Sequence, residues 1–190
     1  MTVGKTYVVH FRRRREGKTD YRRRLALVKS KKIRLVVRTT NKRILVQAIK
    51  FNPKGDETVA SADSRELEKF SFYGTNNTPS AYLTGLLLGR KLSLKEKEGI
   101  LDIGLKTPSH GSVIFAALKG ISDAGIKVNF GAEAVPSDDR INGKVLDKYA
   151  LSLGEKAKTV FSGYIKAGIN VGEISKAFEK AKEKIMQVKE

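Results

Sequence analysis

The residues with the clearest chemistry in this chain are the arginines near its start. Seven arginines and one lysine fall within the fourteen residues from Phe11 to Arg24. Guanidinium groups at this density are suited to binding phosphates, because each cation that replaces a condensed counterion gains affinity through ion release. The rings of Phe11 and Tyr21 lie beside these cations and Tyr7 precedes them, and all three rings are able to stack on unpaired bases. This basic segment, together with His10 directly before it, therefore predicts a nucleic-acid contact.

A basic segment of this kind could also be a disordered solubilising tail, a localisation signal or a surface for acidic lipid. Four consecutive arginines repel one another, and holding them together without a polyanion is costly. An interfacial lipid-binding helix needs a continuous apolar stripe, and the segment has none. We therefore favour the nucleic-acid interpretation.

The positive charge of the chain is concentrated in its first quarter. Residues 1–50 contain 17 lysines and arginines and 2 acidic residues, a net charge of +15, and the other 140 residues contribute +3 to the total of +18. A chain whose positive charge is concentrated at one end has a basic surface, and the usual partner of such a surface is a polyanion. There is no cysteine, which excludes disulfides and thiolate metal sites. No apolar run is long enough for a bilayer and no signal peptide is visible, so we expect no membrane partner.

Candidate catalytic groups are few and poorly arranged. His110 is flanked by Ser109 and Ser112, but nothing in the segment would orient it as a base, and the spacing is not that of a nucleophile elbow. A ribonuclease-H-like nuclease needs several carboxylates around two metal ions. Asp102 stands alone in its strand, and the adjacent pair Asp138–Asp139 lies in a loop where neighbouring side chains diverge. The sequence therefore predicts no enzyme, no cofactor, no metal and no small-molecule substrate.

The elements that position the basic residues begin with a predicted hairpin. The segment IRLVVRTT alternates, which places Leu35 and Val37 on one face and Arg34 and Arg38 on an exposed face. The segment ILVQAIKF is a second β-rich run, and TVASA is predicted to be a third strand after a turn. The loop between the first two strands gives the hairpin a basic tip, which holds Asn41, Lys42 and Arg43.

The rest of the chain alternates helices and strands and then continues as helices alone. The segment TPSAYLTGLLLGRKL predicts a buried helix with Thr78 as its N-cap and Pro79 at its first position. Gly85 and Gly89 share one face of that helix and would let another backbone approach closely. The segments LDIGL and IKVNF predict strands on either side of a helix over SVIFAALKGISDAG. From Arg140, three helical stripes follow, in GKVLDKYALSL, EKAKTVFSGYIKAG and GEISKAFEKAKEKIMQVK.

The predicted fold class is mixed α/β. It has an antiparallel three-stranded start, then alternating helices and strands in a layered sheet domain, with a basic N-terminal arm and a C-terminal helical extension. We expect an RNA-binding arm over residues 1–32, an α/β globular body over 33–139 and the extension over 140–190.

Several blocks of this sequence resemble a known family. They are FRRRREGKTDY, RLVVRTTNK, TPSAYLTGLLLGRKL, LDIGLKTPSHGSVIFAALKGISDAGIKV and FSGYIKAGINVGEISKAFEKAKEKI. In this order they are similar to the large-subunit ribosomal proteins that bind 5S ribosomal RNA, the L-eighteen family, whose eukaryotic member is called L-five. The long arm and the C-terminal helices resemble the archaeal and eukaryotic branch, and the chain length favours the archaeal one.

The resemblance implies a structural component of the cytoplasmic large ribosomal subunit without a catalytic site. It would bind 5S rRNA and help attach it to the 23S-type large-subunit rRNA in the central protuberance, beside neighbouring ribosomal proteins. Carried over by position, the RNA-binding residues would lie in the arm, the first strand, the hairpin tip and the loop before the buried helix. They are Lys5, Tyr7, His10, Phe11, Arg12, Arg13, Arg14, Arg15, Lys18, Tyr21, Arg22, Arg23, Arg24, Lys29, Lys31, Lys32, Arg34, Arg38, Asn41, Lys42, Arg43, Asn76 and Asn77.

Two alternatives stay open from the residues alone. A basic DNA-binding protein of the chromatin type would show an equally basic composition, and only the resemblance and the aromatic-bearing arm argue against it. A ribonuclease-H-like nuclease matches the order of strands and helices but lacks its carboxylate ligands.

Overall fold

A mixed five-stranded sheet forms the centre of the fold in this computed structural model, which describes residues 8–92 and 98–188. The strand order is β3-β2-β1-β4-β5, with β1–β2 and β2–β3 antiparallel and β1–β4 and β4–β5 parallel. The mixed α/β class and its antiparallel three-stranded start are confirmed. The strands are β1 Ile33–Thr39, β2 Ile44–Lys50, β3 Glu57–Asp63, β4 Glu98–Asp102 and β5 Lys127–Val128.

Helices precede the sheet, connect its parallel strands and follow its last strand. Short 3-10 segments at Ser64–Phe70, Ala132–Ala134 and Gly154–Lys156 join some of them. The α-helices in the described residues are α1 Arg12–Arg15, α2 Tyr21–Lys29, α3 Thr78–Lys91, α4 Val113–Asp123, α5 Asp138–Ile141, α6 Lys144–Leu153, α7 Ala157–Val160, α8 Ser162–Lys166 and α9 Ile174–Gln187.

The hydrophobic core lies on one face of the sheet. Leu35 and Val37 of β1 and Val46 of β2 point into it and are fully buried beneath α3 and α4. Burying each such side chain contributes roughly 1.5–3 kcal/mol, which fixes the register because a one-residue slip would expose the whole set. The other face of β1 carries Arg34, Val36 and Arg38, so the alternation expected from the sequence is confirmed.

Helices α3 and α4 approach each other closely through glycines. A Cβ added at Gly85 would lie 2.0 Å from the carbonyl oxygen of Ala117, and one added at Gly120 would lie 2.1 Å from that of Tyr82. Gly89 similarly leaves room for the methyl group of Ala124. The predicted close approach of a second backbone is confirmed at Gly85, whereas the close neighbour of Gly89 is a side-chain methyl group.

We expect Gly85→Ala to destabilise the fold by about 1–3 kcal/mol, because the new methyl group overlaps the backbone of α4 and forces the two helices apart. The matched control is Gly131→Ala, at a position with φ −71° whose nearest non-neighbouring atom would be 3.6 Å from the new Cβ. Urea unfolding measures both variants. Equal stabilities for the two would contradict the close packing of α3 on α4.

The start of α3 differs by one residue from the prediction. The N-cap is Asn77 and not Thr78, because the Asn77 side-chain oxygen accepts a hydrogen bond from the backbone N–H of Ser80 at 2.9 Å. Thr78 and Pro79 are therefore the first two helical residues, where a missing backbone N–H costs nothing.

The C-terminal helices pack on α3 and share its core. Ile174, Phe178 and Ile185 of α9 are buried, and the Phe178 ring lies 5.6 Å from that of Tyr82. The helix predicted over GEISKAFEKAKEKIMQVK ends before Val188, which lies beyond the end of α9 and is 38% exposed. The division of the chain into arm, body and extension stays a prediction.

The single helix predicted over EKAKTVFSGYIKAG is wrong, since the segment forms α7 and α8 with a break at Phe161. Phe161 leaves the helical region, with φ −99° and ψ 25°, and its ring is buried against Tyr164. Gly163 also lies against the ring of Tyr73, where an added Cβ would be 2.5 Å away. In this segment, the packing of aromatic rings on the core therefore stabilises the chain more than an unbroken helix would.

A buried aspartate holds α6 and α9 together. The carboxylate of Asp147 on α6 accepts hydrogen bonds from the backbone N–H groups of Ile174 at 2.7 Å and Ser175 at 3.1 Å. Glu173, the residue in the N-cap position of α9, makes no side-chain cap of its own. The first turn of α9 is therefore capped from another helix.

Candidate nucleic-acid interface

The four consecutive arginines form the short helix α1, and all of their side chains are exposed. Glu16, the next residue, forms ion pairs with Arg12 at 2.7 Å and Lys18 at 2.8 Å. Hydrogen bonds from these two cations lower the pKa of Glu16, so the carboxylate is ionised at neutral pH. Among residues 8–92 and 98–188, Glu16 is the acid that pairs with a side chain of α1, so α1 keeps a large surplus of positive charge.

Two aromatic rings of the arm, those of Phe11 and Tyr21, pack on each other at its surface. The centroids of Phe11 and Tyr21 are 5.2 Å apart, yet Phe11 is 72% exposed and keeps a free face for stacking. Asp20 caps α2 by accepting hydrogen bonds from the backbone N–H groups of Arg22 and Arg23. The side chains of Arg22 and Arg23 are exposed on α2, as is His10 before α1.

Three arginines and two aspartates form an ionic network between α2 and the sheet. Asp56, in the loop between β2 and β3, contacts Arg24 of α2 at 2.9 Å and Arg34 of β1 at 2.5 Å. Asp102, at the end of β4, contacts Arg34 and Arg38, each at 3.1 Å. Arg38 also donates a hydrogen bond to the carbonyl oxygen of Asp102 at 2.7 Å. The network ties the arm to the centre of the sheet.

Arg34 is not on an exposed face, so that expectation is wrong. Its residue exposure is 4%, since the face of β1 that carries it is covered by the ionic network and by the segment around Asp56. The side chain of Arg38 is 42% exposed and does reach solvent. A contact between RNA and Arg34 stays untested, but its geometry fits a role in holding the two aspartates.

The hairpin tip extends the basic surface beyond the arm. The backbone turn from Thr40 to Arg43 is closed by hydrogen bonds at both residues, and Asn41 and Lys42 are exposed at its apex. Arg43 forms an ion pair with Asp63 at 3.2 Å and is half-exposed. The tip therefore presents its polar groups outward, as predicted.

The link between α2 and β1 is also basic. Lys29 and Lys31 are exposed, and Lys32 pairs with Glu98 of β4 at 2.7 Å. Lys31 has a φ of 57°, a left-handed conformation that turns the chain from α2 into the sheet.

Asn76 and Asn77, which are predicted RNA contacts, are each partly enclosed by the fold. Besides capping α3, Asn77 donates a hydrogen bond to the hydroxyl oxygen of Tyr164 on α8 at 2.5 Å. Burial raises the pKa of that hydroxyl, which stays neutral. The Oδ1 atom of Asn76 is buried. An RNA contact at either residue stays a prediction, and the predicted contacts Lys5 and Tyr7 lie outside the described residues.

The sparse catalytic candidates do not converge in the described residues. His110 is exposed, with Nδ1 3.2 Å from the carbonyl oxygen of Glu133, in the loop that leads into α4. Asp102 is occupied by its two arginines, and Asp138–Asp139 is exposed in the first turn of α5. Within 8–92 and 98–188, no three His, Cys, Asp or Glu side chains are grouped as metal ligands. None of the helices described here is long and apolar enough to cross a membrane.

Sequence reasoning missed two residues that complete this surface. Lys106 follows β4 and donates hydrogen bonds to the carbonyl and hydroxyl oxygens of Thr39, beside Arg38. Asp56 joins the arm to β1 through Arg24 and Arg34. The sequence carries no signal that singles out Asp56, because Glu57 beside it is also acidic. The position of Lys106 depends on the parallel pairing of β1 with β4.

Comparisons with known proteins agree on one family. Residues 5–99 match the sequence profile described as ribosomal large-subunit proteins 60S L5 and 50S L18. The protein called large ribosomal subunit protein uL18 from Korarchaeum cryptofilum is 49% identical over 183 residues, which cover 94% of this chain and 94% of that protein. The uL18 proteins of Caldivirga maquilingensis and Methanothermobacter thermautotrophicus are 49% and 44% identical, covering 95% and 97% of this chain and 91% and 98% of their own lengths.

Proposed function

We propose a function from the premise that the chain belongs to the family of large-subunit ribosomal proteins 60S L5 and 50S L18. As a structural component of the large subunit, it binds 5S rRNA and helps attach it to the large-subunit rRNA in the central protuberance. Its other partners are neighbouring ribosomal proteins, and it has no catalytic activity. The predicted resemblance to this family and to its archaeal branch is confirmed.

The observation that carries the RNA-binding proposal is the exposure of the arm's arginines on a chain whose residues 51–190 have a net charge of only +3. In residues 8–24, the four arginines of α1 and the side chains of Arg22 and Arg23 reach solvent next to the Phe11 ring. Cations of this kind bind phosphates whatever the sequence, and an exposed ring stacks on an unpaired base. The arrangement supports recognition of a folded RNA by its shape and its unpaired bases.

The ionic network supports the same proposal by setting the direction of the arm. Because Asp56 bridges Arg24 and Arg34, α2 is held against the sheet at a defined place, and the hairpin tip extends from the same sheet. A surface with a fixed shape loses less conformational entropy on binding than a free tail does. The arm and the hairpin tip thus form one candidate interface.

A competition experiment tests the proposed partner. We expect unlabelled 5S rRNA to displace labelled 5S rRNA at a concentration at least about 10-fold lower than duplex DNA of equal phosphate content, at one fixed salt concentration. The reason is that phosphate contacts alone do not discriminate, whereas contacts to unpaired bases and RNA shape do. Equal displacement by the DNA would favour the chromatin-type alternative, and magnesium-dependent cleavage of the RNA would favour the nuclease.

A further inference from the structure

A groove of about 750 Å³ runs between the arm and the open face of the sheet. One wall is formed by α2, through Ala26 and Leu27, and the other by the strands, through Val36 of β1 and Ile49 of β2. This size falls within the range of about 300–1,000 Å³ that is usual for small-molecule sites. The walls therefore offer apolar surface to a flat group of the size of a nucleotide.

The rim of the groove is cationic. Arg13, Lys18, Arg23 and Lys106 line it. Of the three carboxylates in the lining, Asp56 and Asp102 are shared among the three arginines of the ionic network, and Asp20 pairs with Arg23 at 3.5 Å. The side chains of Lys18 and Arg23 are 60% and 61% exposed, so their charged ends are able to reach a ligand from solvent. The groove thus joins an apolar interior to a positively charged edge.

The apolar walls and the cationic rim together fit an unpaired nucleotide of an RNA better than a base-paired helix. A base-paired helix keeps its base faces inside its stack and would offer the groove only phosphates, which leaves the apolar walls unused. An unpaired nucleotide in a loop or bulge exposes a flat base face, and its phosphate stays at the edge. The apolar walls and the cationic rim are complementary to these two parts.

We propose that the groove between α2 and the sheet binds one or two unpaired nucleotides of the RNA, with the base between Leu27 and Ile49 and the phosphate on the rim. This inference rests on the proposed function, since it takes a folded RNA as the partner. It adds a specific subsite to what would otherwise be a general phosphate-binding surface.

Filling the groove tests the proposal without changing any charge. Ile49→Trp and Ala26→Trp narrow it from opposite walls, and Val59→Trp is the control, because Val59 is a half-exposed residue of β3 outside the groove. We expect both groove variants to bind 5S rRNA about 10-fold more weakly, the typical effect of losing one stacked base. Binding to a fully paired RNA duplex should change less than about twofold, and Val59→Trp should leave both affinities unchanged.

The outcomes separate this proposal from the proposed function. Wild-type protein that prefers 5S rRNA to the duplex, together with groove variants that match Val59→Trp, would overturn the groove proposal alone. Wild-type protein with equal affinity for both RNAs would overturn the proposed function. Thermal unfolding of each variant shows whether it is folded, and Ala26→Trp remains informative if Ile49→Trp fails to fold, because Ala26 is exposed on α2.

A second measurement locates the nucleotides directly. The chain has no cysteine, so Ala26→Cys provides a unique thiol for a photo-crosslinking reagent. We expect crosslinks to unpaired nucleotides of 5S rRNA from position 26 and few or none from the control Val59→Cys. Crosslinks from position 26 to paired nucleotides only would contradict the proposal.

Discussion

Replacing Arg12, Arg13, Arg14 and Arg15 together with glutamine is expected to lower the affinity for 5S rRNA by about 100-fold near 0.1 M salt. All four side chains are exposed on α1, and Glu16 partly offsets only Arg12, so each is free to neutralise a phosphate. Each neutralised phosphate contributes about −0.7 to −0.9 to the slope of log affinity against log salt. If wild-type protein neutralises roughly eight phosphates, its slope is about −6 to −7, and the variant should be shallower by about 3.

The matched control removes the same amount of charge from the C-terminal helices. It replaces four exposed lysines with glutamine, namely Lys148, Lys156, Lys158 and Lys180. Filter binding over a salt series compares the two variants, and circular dichroism checks that both are folded. Equal losses of affinity and equal changes of slope would mean that net charge, and not the position of the arginines, determines binding.

Asp102→Ala is expected to destabilise the fold by about 3–5 kcal/mol, the usual cost of breaking a buried ion pair by removing one member. Arg34 lies almost wholly inside the protein and is held by Asp102 and Asp56, of which Asp102 is the more deeply buried. Without Asp102, the guanidinium of Arg34 keeps its desolvation cost and loses one of its two countercharges. For a chain of this size, the midpoint of thermal unfolding should fall by roughly 6–20 °C.

Glu98→Gln is the control for this variant. Glu98 is an exposed acid on the same strand and pairs with Lys32 across the same β1–β4 junction, but both partners stay in contact with water. We expect no measurable change in its unfolding midpoint, because exposed ion pairs contribute little to stability. If the two variants unfolded at the same temperature, Arg34 would not depend on Asp102.

The parts of the fold that sequence patterns predicted well are those with a local cause. The alternation in β1 comes from the pleat of a strand, and the stripe of Ile174, Phe178 and Ile185 comes from the helical repeat. Both patterns need only the residues within the element itself. The hairpin tip belongs to the same class, because Asn41 and Lys42 lie in a short loop between two β-rich runs.

The predictions from the sequence that were wrong concern contacts between distant parts of the chain. Arg34 was placed on the correct face of β1, but its burial depends on Asp102, which is 68 residues away in the sequence. The break at Phe161 similarly depends on Tyr73, which faces Gly163 across the core. A hydrophobic pattern indicates which residues of an element are buried, but it does not indicate which distant residues they contact.

The large separation between Arg34 and Asp102 bears on the order of events during synthesis. The basic arm and the first hairpin leave the ribosome well before residue 102 is made, so for that interval Arg34 lacks its more deeply buried countercharge. Parallel pairing of β1 with β4 also requires the intervening chain to close a long loop first, which is slow compared with hairpin formation. The arginines of a nascent chain are therefore accessible to any nearby polyanion. A chaperone that binds the arm, or early association with RNA, would protect the chain until β1 pairs with β4.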